Sequence, residues 1–363
     1  MKEHVMRAVE GIRLGDTIRF KNLSVVPLFS NAGANTSALN YISLKHGMEK
    51  NLVEITEISE GGSVPTLQVH NRGNKPLFIL DGEELVGAKQ NRIVNTSMLL
   101  AAKSYFQVPV SCTERGRWSY NSRKFSDSGV VMSSKARYSK SERVYASLKR
   151  KAGYNAEQSM VWNDIETMHQ KYATSSGTRA MKDAFVQKEN EIKDYIAAFP
   201  LQLYQNGMIV FQNGKLVGGE FISNPDVYAD LHVKLIKSFS IEAMHEREEI
   251  QTNDFDLQKE ASQNLHLLKE ATATEHQPIG LGKDIRLETA SNKASALEYE
   301  GEVVHISFFP KEDVGNDDEK KQVDPVPTPP RRRWGLGELV QRKRNRHAAR
   351  QREQMESLEE LEE

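Results

Sequence analysis

The sequence predicts an α+β fold with a β-sandwich or barrel-like N-terminal part, then helices, then a C-terminal part of hairpin, helix and strand with a disordered tail. Short strand-like segments with turn residues between them follow one another across residues 15–120. This close spacing favours a sandwich or barrel over an alternation of strands and helices. Helical periodicity begins near residue 156, and a hairpin signal follows at Asn213-Gly214.

The β-rich core is predicted over residues 15–120. Val53 and Ile55 alternate with polar neighbours, which is typical of a half-buried strand. The run 76–80 is apolar throughout and predicts a strand that is buried on both faces. Further candidate strands are 24–29, 93–100 and 105–112.

Residues 156–310 predict an α+β part that packs on this core. Apolar residues at spacings of four, three and four mark one face of a helix: Val161, Ile165, Met168 and Tyr172. The Asn213-Gly214 pair predicts the type I′ turn of a hairpin. Asn224-Pro225 then predicts the start of a helix, with Asn as N-cap and Pro at the first helical position.

Two segments are predicted to be irregular. Residues 121–155 are rich in Ser, Lys, Arg and Tyr and lack apolar periodicity, which predicts a mobile basic loop followed by a short helix. Residues 311–363 are first acidic, then proline-rich, then basic and finally acidic again. This composition predicts a linker and a charged tail that is either disordered or helical.

Composition excludes several classes of protein. The formal net charge of −1 over 363 residues gives no global field that would attract nucleic acid or an anionic membrane. No stretch approaches the roughly 18 apolar residues that span a bilayer, and residues 1–16 do not resemble a signal peptide. The single cysteine, Cys112, excludes an intramolecular disulfide and suits a reducing compartment, so we expect a cytoplasmic protein without a membrane.

The densest run of unusual polar residues is the motif loop, residues 81–92, which directly follows the strand predicted at 76–80. Polar side chains at the end of a rigid strand are well placed to enter a site, and glycines let the backbone approach a ligand. The candidate catalytic carboxylates are Glu83 and Glu84. The candidate ligand-binding residues are Asp81, Lys89, Gln90, Asn91 and Arg92. The alternative is a solvated hairpin loop whose charges pair with one another.

The second motif segment, residues 109–118, contains Cys112 as a candidate catalytic nucleophile. Arg115 and Arg117 would stabilise its thiolate. A nucleophile usually needs a positioned base such as His, and none lies nearby in the sequence, so the alternative is a buried small hydrophobe. The other candidate ligand-binding residues are Glu114, Arg117 and Trp118. The guanidinium and the indole could clamp a planar anionic ligand.

Other chemical signals are weak. The sequence has no phosphate loop, nucleophile elbow or dinucleotide fingerprint, and it identifies no cofactor. The ten histidines show no ligand spacing, so we assign no metal ligands. A weaker hypothesis of function is nucleic-acid binding through the basic loop between Arg123 and Arg150 and through a basic segment that begins with Arg331 and ends with Arg352, both of which could contact phosphates. The alternative, which we favour, is a solvated tail whose opposite charges pair internally.

Five strings resemble those of one bacterial family, the ARG and rhodanese-phosphatase-superfamily-associated protein domain, over roughly residues 15–310. The strings are SEGGSVP (59–65), DGEELVGAKQNR (81–92), PVSC (109–112), GRW (116–118) and GEVVH (301–305). The family name records association with ADP-ribosylglycohydrolase and rhodanese-like phosphatase domains, which implies a role near ADP-ribose or NAD metabolism. The resemblance implies no reaction. It places these candidates in motif strings: Glu83, Glu84, Lys89, Gln90, Asn91, Arg92, Cys112, Arg117 and Trp118.

Two main hypotheses of function remain open, and the relative positions of the two motif segments in the structure distinguish them. In the first, the protein binds or transforms a nucleotide-like small molecule, with Glu83 or Glu84 as general base or ribose acceptor and Trp118 stacked on a planar group. Phosphate would be held by Lys89, Arg92 and Arg117. In the second, the protein is a non-catalytic scaffold or regulatory binding protein. Convergence of these side chains on one concave pocket favours the first hypothesis, and pairing with one another favours the second.

Overall fold

The computed structural model describes residues 2–30, 39–59, 63, 65–245 and 256–311, and the predicted tail beyond them lies outside the described residues. The strands are β1 (Ile12–Leu14), β2 (Ile18–Phe20), β3 (Leu23–Ser30), β4 (Ile42–Ser43), β5 (Val53–Glu57), β6 (Thr66–Asn71), β7 (Leu77–Ile79), β8 (Glu83–Gly87), β9 (Arg92–Val94), β10 (Met98–Leu100), β11 (Ser104–Cys112), β12 (Phe125–Val131), β13 (Gln205–Gln212), β14 (Lys215–Ile222), β15 (Thr272–His276), β16 (Lys283–Glu288), β17 (Asn292–Tyr299) and β18 (Glu302–Pro310). The helices are α1 (Lys2–Glu10), α2 (Leu44–Glu49), α3 (Ser134–Lys149), α4 (Gln158–Lys171), α5 (Met181–Gln187), α6 (Glu189–Ala198), α7 (Pro225–Ala243) and α8 (Leu257–Glu270).

The largest sheet combines strands from both ends of the described chain. Its order is β1-β3-β13-β14-β18-β17-β16-β15, and β2 also pairs with β3. Because β3 pairs along its length with β13, strands from the segments 15–120 and 156–310 share one sheet. The antiparallel sheets and the helices together confirm the predicted α+β class.

The second large sheet closes into a barrel, which confirms the barrel-like prediction. Its order is β12-β8-β9-β11-β6-β5. A bridge between Thr56 and Lys124 joins the two outer strands, and closure of this kind removes exposed strand edges. Apolar side chains such as Ile55, Val69 and Leu85 are fully buried in one hydrophobic cluster with β7 and β10, which belong to a small three-stranded sheet.

Strands β13 and β14 form the predicted hairpin. Asn213 and Gly214 have φ angles of 48° and 75°, and two positive φ angles are what a type I′ turn requires. Away from the turn the two strands approach very closely at Gly207, where an added Cβ would lie 2.0 Å from the carbonyl oxygen of Glu220. Position 207 therefore has no room for a side chain.

Helix α7 follows the hairpin and begins where the sequence predicts. The Asn224 side chain accepts hydrogen bonds from the backbone N–H groups of Asp226, at 3.0 Å, and Val227, at 3.3 Å, and an N-cap of this kind contributes about 1 kcal/mol. The helix packs on β13 and β14 of the large sheet and on β12 of the barrel. It therefore joins the two large sheets.

The segment 121–155 differs from the mobile basic loop and short helix predicted for it. It forms β12, an outer strand of the barrel, and α3, which is 16 residues long. Apolar periodicity is weak in α3 because two of its core-facing residues, Arg137 and Lys140, are charged, and both are fully buried. Charged side chains occupy such positions when buried carboxylates lie opposite them.

Substitution of Gly207 tests the close approach of β13 and β14. Gly207→Ala is expected to lower the free energy of unfolding by about 1–3 kcal/mol, because backbone atoms must move to admit the methyl group. Urea unfolding measures the change. Gly177→Ala is the matched control, because a Cβ there meets nothing within 4 Å, and it should change stability by less than about 0.5 kcal/mol. Equal effects of the two changes would contradict this packing.

Candidate functional site

The motif loop makes a tight turn between β7 and β8. Gly82 has a φ angle of 80°, and an added Cβ would lie 3.0 Å from Cγ of Arg137. The backbone conformation and the close neighbour both favour glycine. Three carboxylates follow one another across this turn and find three different partners: Asp81, Glu83 and Glu84.

Asp81 forms an ion pair with Lys140 of α3. Lys140 is fully buried and also donates to the carbonyl oxygens of Val94, at 3.3 Å, and Asn95, at 3.2 Å. Burial lowers the pKa of Lys140, and the Asp81 carboxylate offsets part of that effect. Asp81 therefore holds α3 against the barrel.

Glu83 belongs to a buried triad with Lys234 of α7 and Asp127 of β12. Lys234 Nζ lies 2.7 Å from Glu83 Oε1 and 2.6 Å from Asp127 Oδ2, and the Leu80 N–H donates to Glu83 Oε2 at 2.8 Å. Burial raises the pKa of Glu83, and Lys234 offsets part of the rise. Burial opposes the charge on Lys234, but the two carboxylates outweigh it and raise the pKa of the lysine.

Glu84 lies opposite a bulge in β12. Leu85 pairs with Asp127 and Glu83 pairs with Val131, so residues 128–130 face Glu84 alone. The Thr113 hydroxyl donates to Glu84 Oε1 at 2.8 Å. Complete burial raises the pKa of Glu84 to about 7, although the hydroxyls of Thr113 and Ser128 lower it in part. Among the predicted catalytic groups, Glu84 is thus a carboxylate that can exchange a proton near neutral pH.

Cys112 is buried beside Arg92 and Gln90. Its thiol donates to Gln90 Oε1 at 3.1 Å, and Arg92 Nη1 donates to the same oxygen at 3.2 Å. Burial raises the pKa of Cys112, against the effect of Arg92. A protonated, fully buried thiol is not an activated nucleophile, so this environment fits the alternative of a small buried side chain. Arg92 also pairs with Glu57 at 3.8 Å.

Arg117 binds the two motif segments together. Its Nε lies 2.9 Å from Glu114 Oε1 and its Nη2 lies 2.6 Å from Glu114 Oε2. The guanidinium also donates to the carbonyl oxygen of Ala88 at 2.7 Å and to the Asn91 side chain at 3.1 Å. Arg117 and the other donors outweigh burial and lower the pKa of Glu114. The two motif segments therefore contact each other, and the charges of Arg117 and Glu114 neutralise one another.

Trp118 lies at the surface of this cluster, beside the buried Lys89. Trp118 is 48% exposed and Tyr120 is 49% exposed. Lys89 Nζ lies 5.4 Å from the centre of the Trp118 ring system and 5.0 Å from that of Tyr120, a separation typical of cation–π contacts. Trp118 is thus the motif aromatic that has an exposed face.

A cleft of about 620 Å³ lies among α2, β5, β12 and α7. The cations that line it are Lys45, Arg72, Lys124, Lys234 and Lys237. The apolar side chains that line it are Met48, Val53, Ile55, Phe125 and Val233. Glu84, Arg92 and Arg117 do not line it, but the partners of the motif carboxylates do: Lys234 and Asp127 contact Glu83, and Ser128 belongs to the bulge opposite Glu84.

Sequence analysis missed the cleft because its walls come from separate segments of the chain. Lys234 is the lining residue with a detectable signal, because it follows Leu231 by three positions and precedes Leu235 on the apolar face of α7. A lysine at such a position needs a buried carboxylate. The sequence alone does not say that Glu83 and Asp127 supply it.

The barrel, the large sheet and the charged cleft define an α+β protein with a cleft of ligand size. The chain belongs to the family of the ARG and Rhodanese-Phosphatase-superfamily-associated Protein domain, whose family model matches residues 11–309. This match confirms the resemblance of the motif strings. No curated protein and no solved structure matches the chain. Within the described ranges, no group of His, Cys, Asp and Glu is arranged to hold a metal ion, and no helix is long and apolar enough to cross a membrane.

Glu84→Gln tests the raised pKa of Glu84. In the wild type, the pKa of Glu84 is about 7 in the folded state, whereas in the unfolded state it returns to its ordinary value of 4.5. Stability should therefore fall as pH rises through this window, by about 3 kcal/mol in total. Gln removes this slope while it keeps an oxygen for Thr113. Urea unfolding between pH 4.5 and pH 8 checks the prediction, and identical slopes for both proteins would refute it.

Lys140→Met tests the anchoring of α3. The change leaves the Asp81 carboxylate buried without its cation, so the free energy of unfolding should fall by about 3–5 kcal/mol. Asp81→Asn in the same chain removes the orphaned charge, and the double variant should be more stable than Lys140→Met alone. A double-mutant cycle by urea unfolding measures the coupling. Additive effects would show that the pair does not interact.

Proposed function

We propose that this protein binds a nucleotide-like small molecule, such as an ADP-ribose derivative, in the cleft among α2, β5, β12 and α7. The observation that carries the proposal is a cleft of about 620 Å³ whose walls combine apolar side chains, five cations and four carboxylates. Ligand sites typically measure about 300–1,000 Å³ and combine apolar surface with a few placed polar groups.

The walls of the cleft match the two halves of a nucleotide. Apolar surface for a planar base comes from Met48 of α2 and Val233 of α7, whereas Val53, Ile55 and Phe125 on the barrel side are at most 7% exposed. Arg72 and Lys124 lie on the same side and share Glu54, with Arg72 Nη2 at 3.0 Å from Glu54 Oε2. Carboxylates of this kind accept hydrogen bonds from ribose hydroxyls, and cations attract phosphates.

The motif carboxylates lie behind the wall of the cleft and hold its lining residues in place. Glu83 holds Lys234 and thereby fixes α7 beside β12. Glu84 is fully buried, so it acts on a ligand only through Ser128, which lines the cleft. The family name, through its association with ADP-ribosylglycohydrolase, favours an ADP-ribose derivative over other nucleotides. Arg92 and Arg117 already make hydrogen bonds inside the motif cluster. Phosphate binding, which the sequence predicted for these two arginines, is therefore assigned to the cations of the cleft.

A second candidate function is a non-catalytic scaffold or regulatory binding protein. The engagement of the motif residues in internal ion pairs favours it: Asp81 is neutralised by Lys140 of α3, and Glu114 by Arg117 of its own segment. A turnover assay distinguishes the two candidate functions. An enzyme converts ADP-ribose or NAD into a product that is visible by ¹H NMR, whereas a binding protein leaves the ligand unchanged.

Isothermal titration tests the proposal with ADP-ribose, NAD and ADP at concentrations up to the millimolar range. At least one of them should bind with a stoichiometry of about one, as a single cleft requires. Absence of binding by all three would overturn the proposal.

Val233→Trp locates the site, because Val233 lines the cleft and is 41% exposed. The larger side chain should fill the mouth and weaken binding by tenfold or more, about 1.4 kcal/mol. Val186→Trp is the matched control, since Val186 is also an exposed helical valine, 55% exposed, outside the cleft lining. Full affinity in Val233→Trp would place the ligand elsewhere.

A further inference from the structure

The cations that line the cleft differ in whether a carboxylate already neutralises them. Lys45 lies 3.6 Å from Asp230. Arg72 and Lys124 both pair with Glu54. Lys234 has two partners, Glu83 and Asp127. Lys45 and Lys234 therefore carry little unbalanced charge toward a ligand, whereas Arg72 and Lys124 share a single carboxylate and keep one positive charge in an exposed, solvent-screened position.

Lys237 is different. Its Nζ donates to the backbone carbonyl oxygen of Gly129 at 2.9 Å. Among the described residues, no carboxylate lies within 4 Å of this amino group, whereas each of the other cleft cations has one. Lys237 thus brings to the cleft a positive charge that no carboxylate neutralises by direct contact, although Glu189 and Asp127 stabilise it in part from beyond 4 Å.

The surroundings of Lys237 disfavour the charged form of its amino group. Burial lowers the pKa of Lys237, and Lys234, one helical turn earlier, adds a like charge that lowers it further. A neutral carbonyl oxygen replaces only part of the lost hydration of an ammonium group. An anion at this position would supply the missing counter-charge.

The bulge of β12 holds the amino group in place. Gly129 has a φ angle of 77°, which a residue with a side chain adopts only under strain. A Cβ at this position would lie 3.9 Å from Lys237 Nζ. The same bulge contains Ser128, and both residues line the cleft. Lys237 is therefore fixed at the cleft wall rather than extended into solvent.

We infer that Lys237 forms an anion-binding subsite of the cleft and takes the phosphate group of the ligand, an inference that rests on the nucleotide-binding function proposed above. The remaining cleft cations shape the wall and hold Glu54, Asp127 and Asp230 in place. Lysine binds phosphate as a compact point charge, so one well-placed ammonium group is enough to distinguish a nucleotide from its nucleoside.

The experiment compares ADP with adenosine, which share the base and the ribose and differ in the phosphates. Isothermal titration of the full chain should show that ADP binds at least tenfold more tightly than adenosine. Lys237→Met should abolish most of this preference and leave the affinity for adenosine unchanged. Lys237→Arg should retain it. Lys283→Met is the charge-matched control, because exposed Lys283 pairs with Glu275 on β15, outside the cleft lining, and it should behave as the wild type.

The outcomes separate this inference from the function that it refines. If Lys237→Met keeps the full preference for ADP, the subsite is wrong while the cleft remains a nucleotide site. If the wild type binds none of ADP-ribose, NAD, ADP and adenosine, the proposed function fails, and inorganic pyrophosphate then tests the subsite alone. Binding of pyrophosphate to the wild type and tenfold weaker binding to Lys237→Met would support it; equal binding, or none, would overturn it. Circular dichroism and urea unfolding establish that each variant is folded.

Discussion

The ion-pair triad of Lys234, Glu83 and Asp127 is the interaction on which the rest of the structure depends. An almost fully buried ammonium group persists only where carboxylates meet it, because desolvation of an unpaired charge costs several kcal/mol. The lysine comes from α7, and the two carboxylates come from adjacent barrel strands. The pairing fixes α7 against the barrel, and the space that is left beside it is the cleft.

Buried ion pairs also fix other elements that pack near the motif loop. Lys140 fixes α3 through Asp81, and Arg137, on the same helix, lies 2.6 Å from Glu220 of β14. Such pairs contribute less to net stability than to the choice of one arrangement, since each is satisfied in a single packing. This explains a motif dense in charge whose residues are nevertheless buried. Its carboxylates hold two helices, α3 and α7, against the barrel, and the surface open to a ligand is formed by their neighbours.

Local patterns predicted much of the fold. Asn213-Gly214 identified the hairpin, Asn224-Pro225 identified the start of α7, and strand spacing identified the barrel, because each depends on neighbours in the chain. The helix predicted within residues 121–155 was expected to be short, and the full length of α3 was missed since Arg137 and Lys140 replace apolar residues at buried positions. The sequence predicted that the two motif segments meet, but it did not predict that most of their side chains are buried. The cleft depends on barrel closure near Lys124 and on the placement of α7, both long-range features that no local pattern encodes.

The central claim is that the motif carboxylates build the cleft and that the cleft binds the ligand. A crystal structure of the protein with ADP-ribose tests it most directly. The account predicts electron density for the ligand among α2, β5, β12 and α7, with a phosphate near Lys237 Nζ and with the Lys234 triad unchanged. Ligand density against Trp118 and Arg92 instead, with the cleft empty, would contradict it.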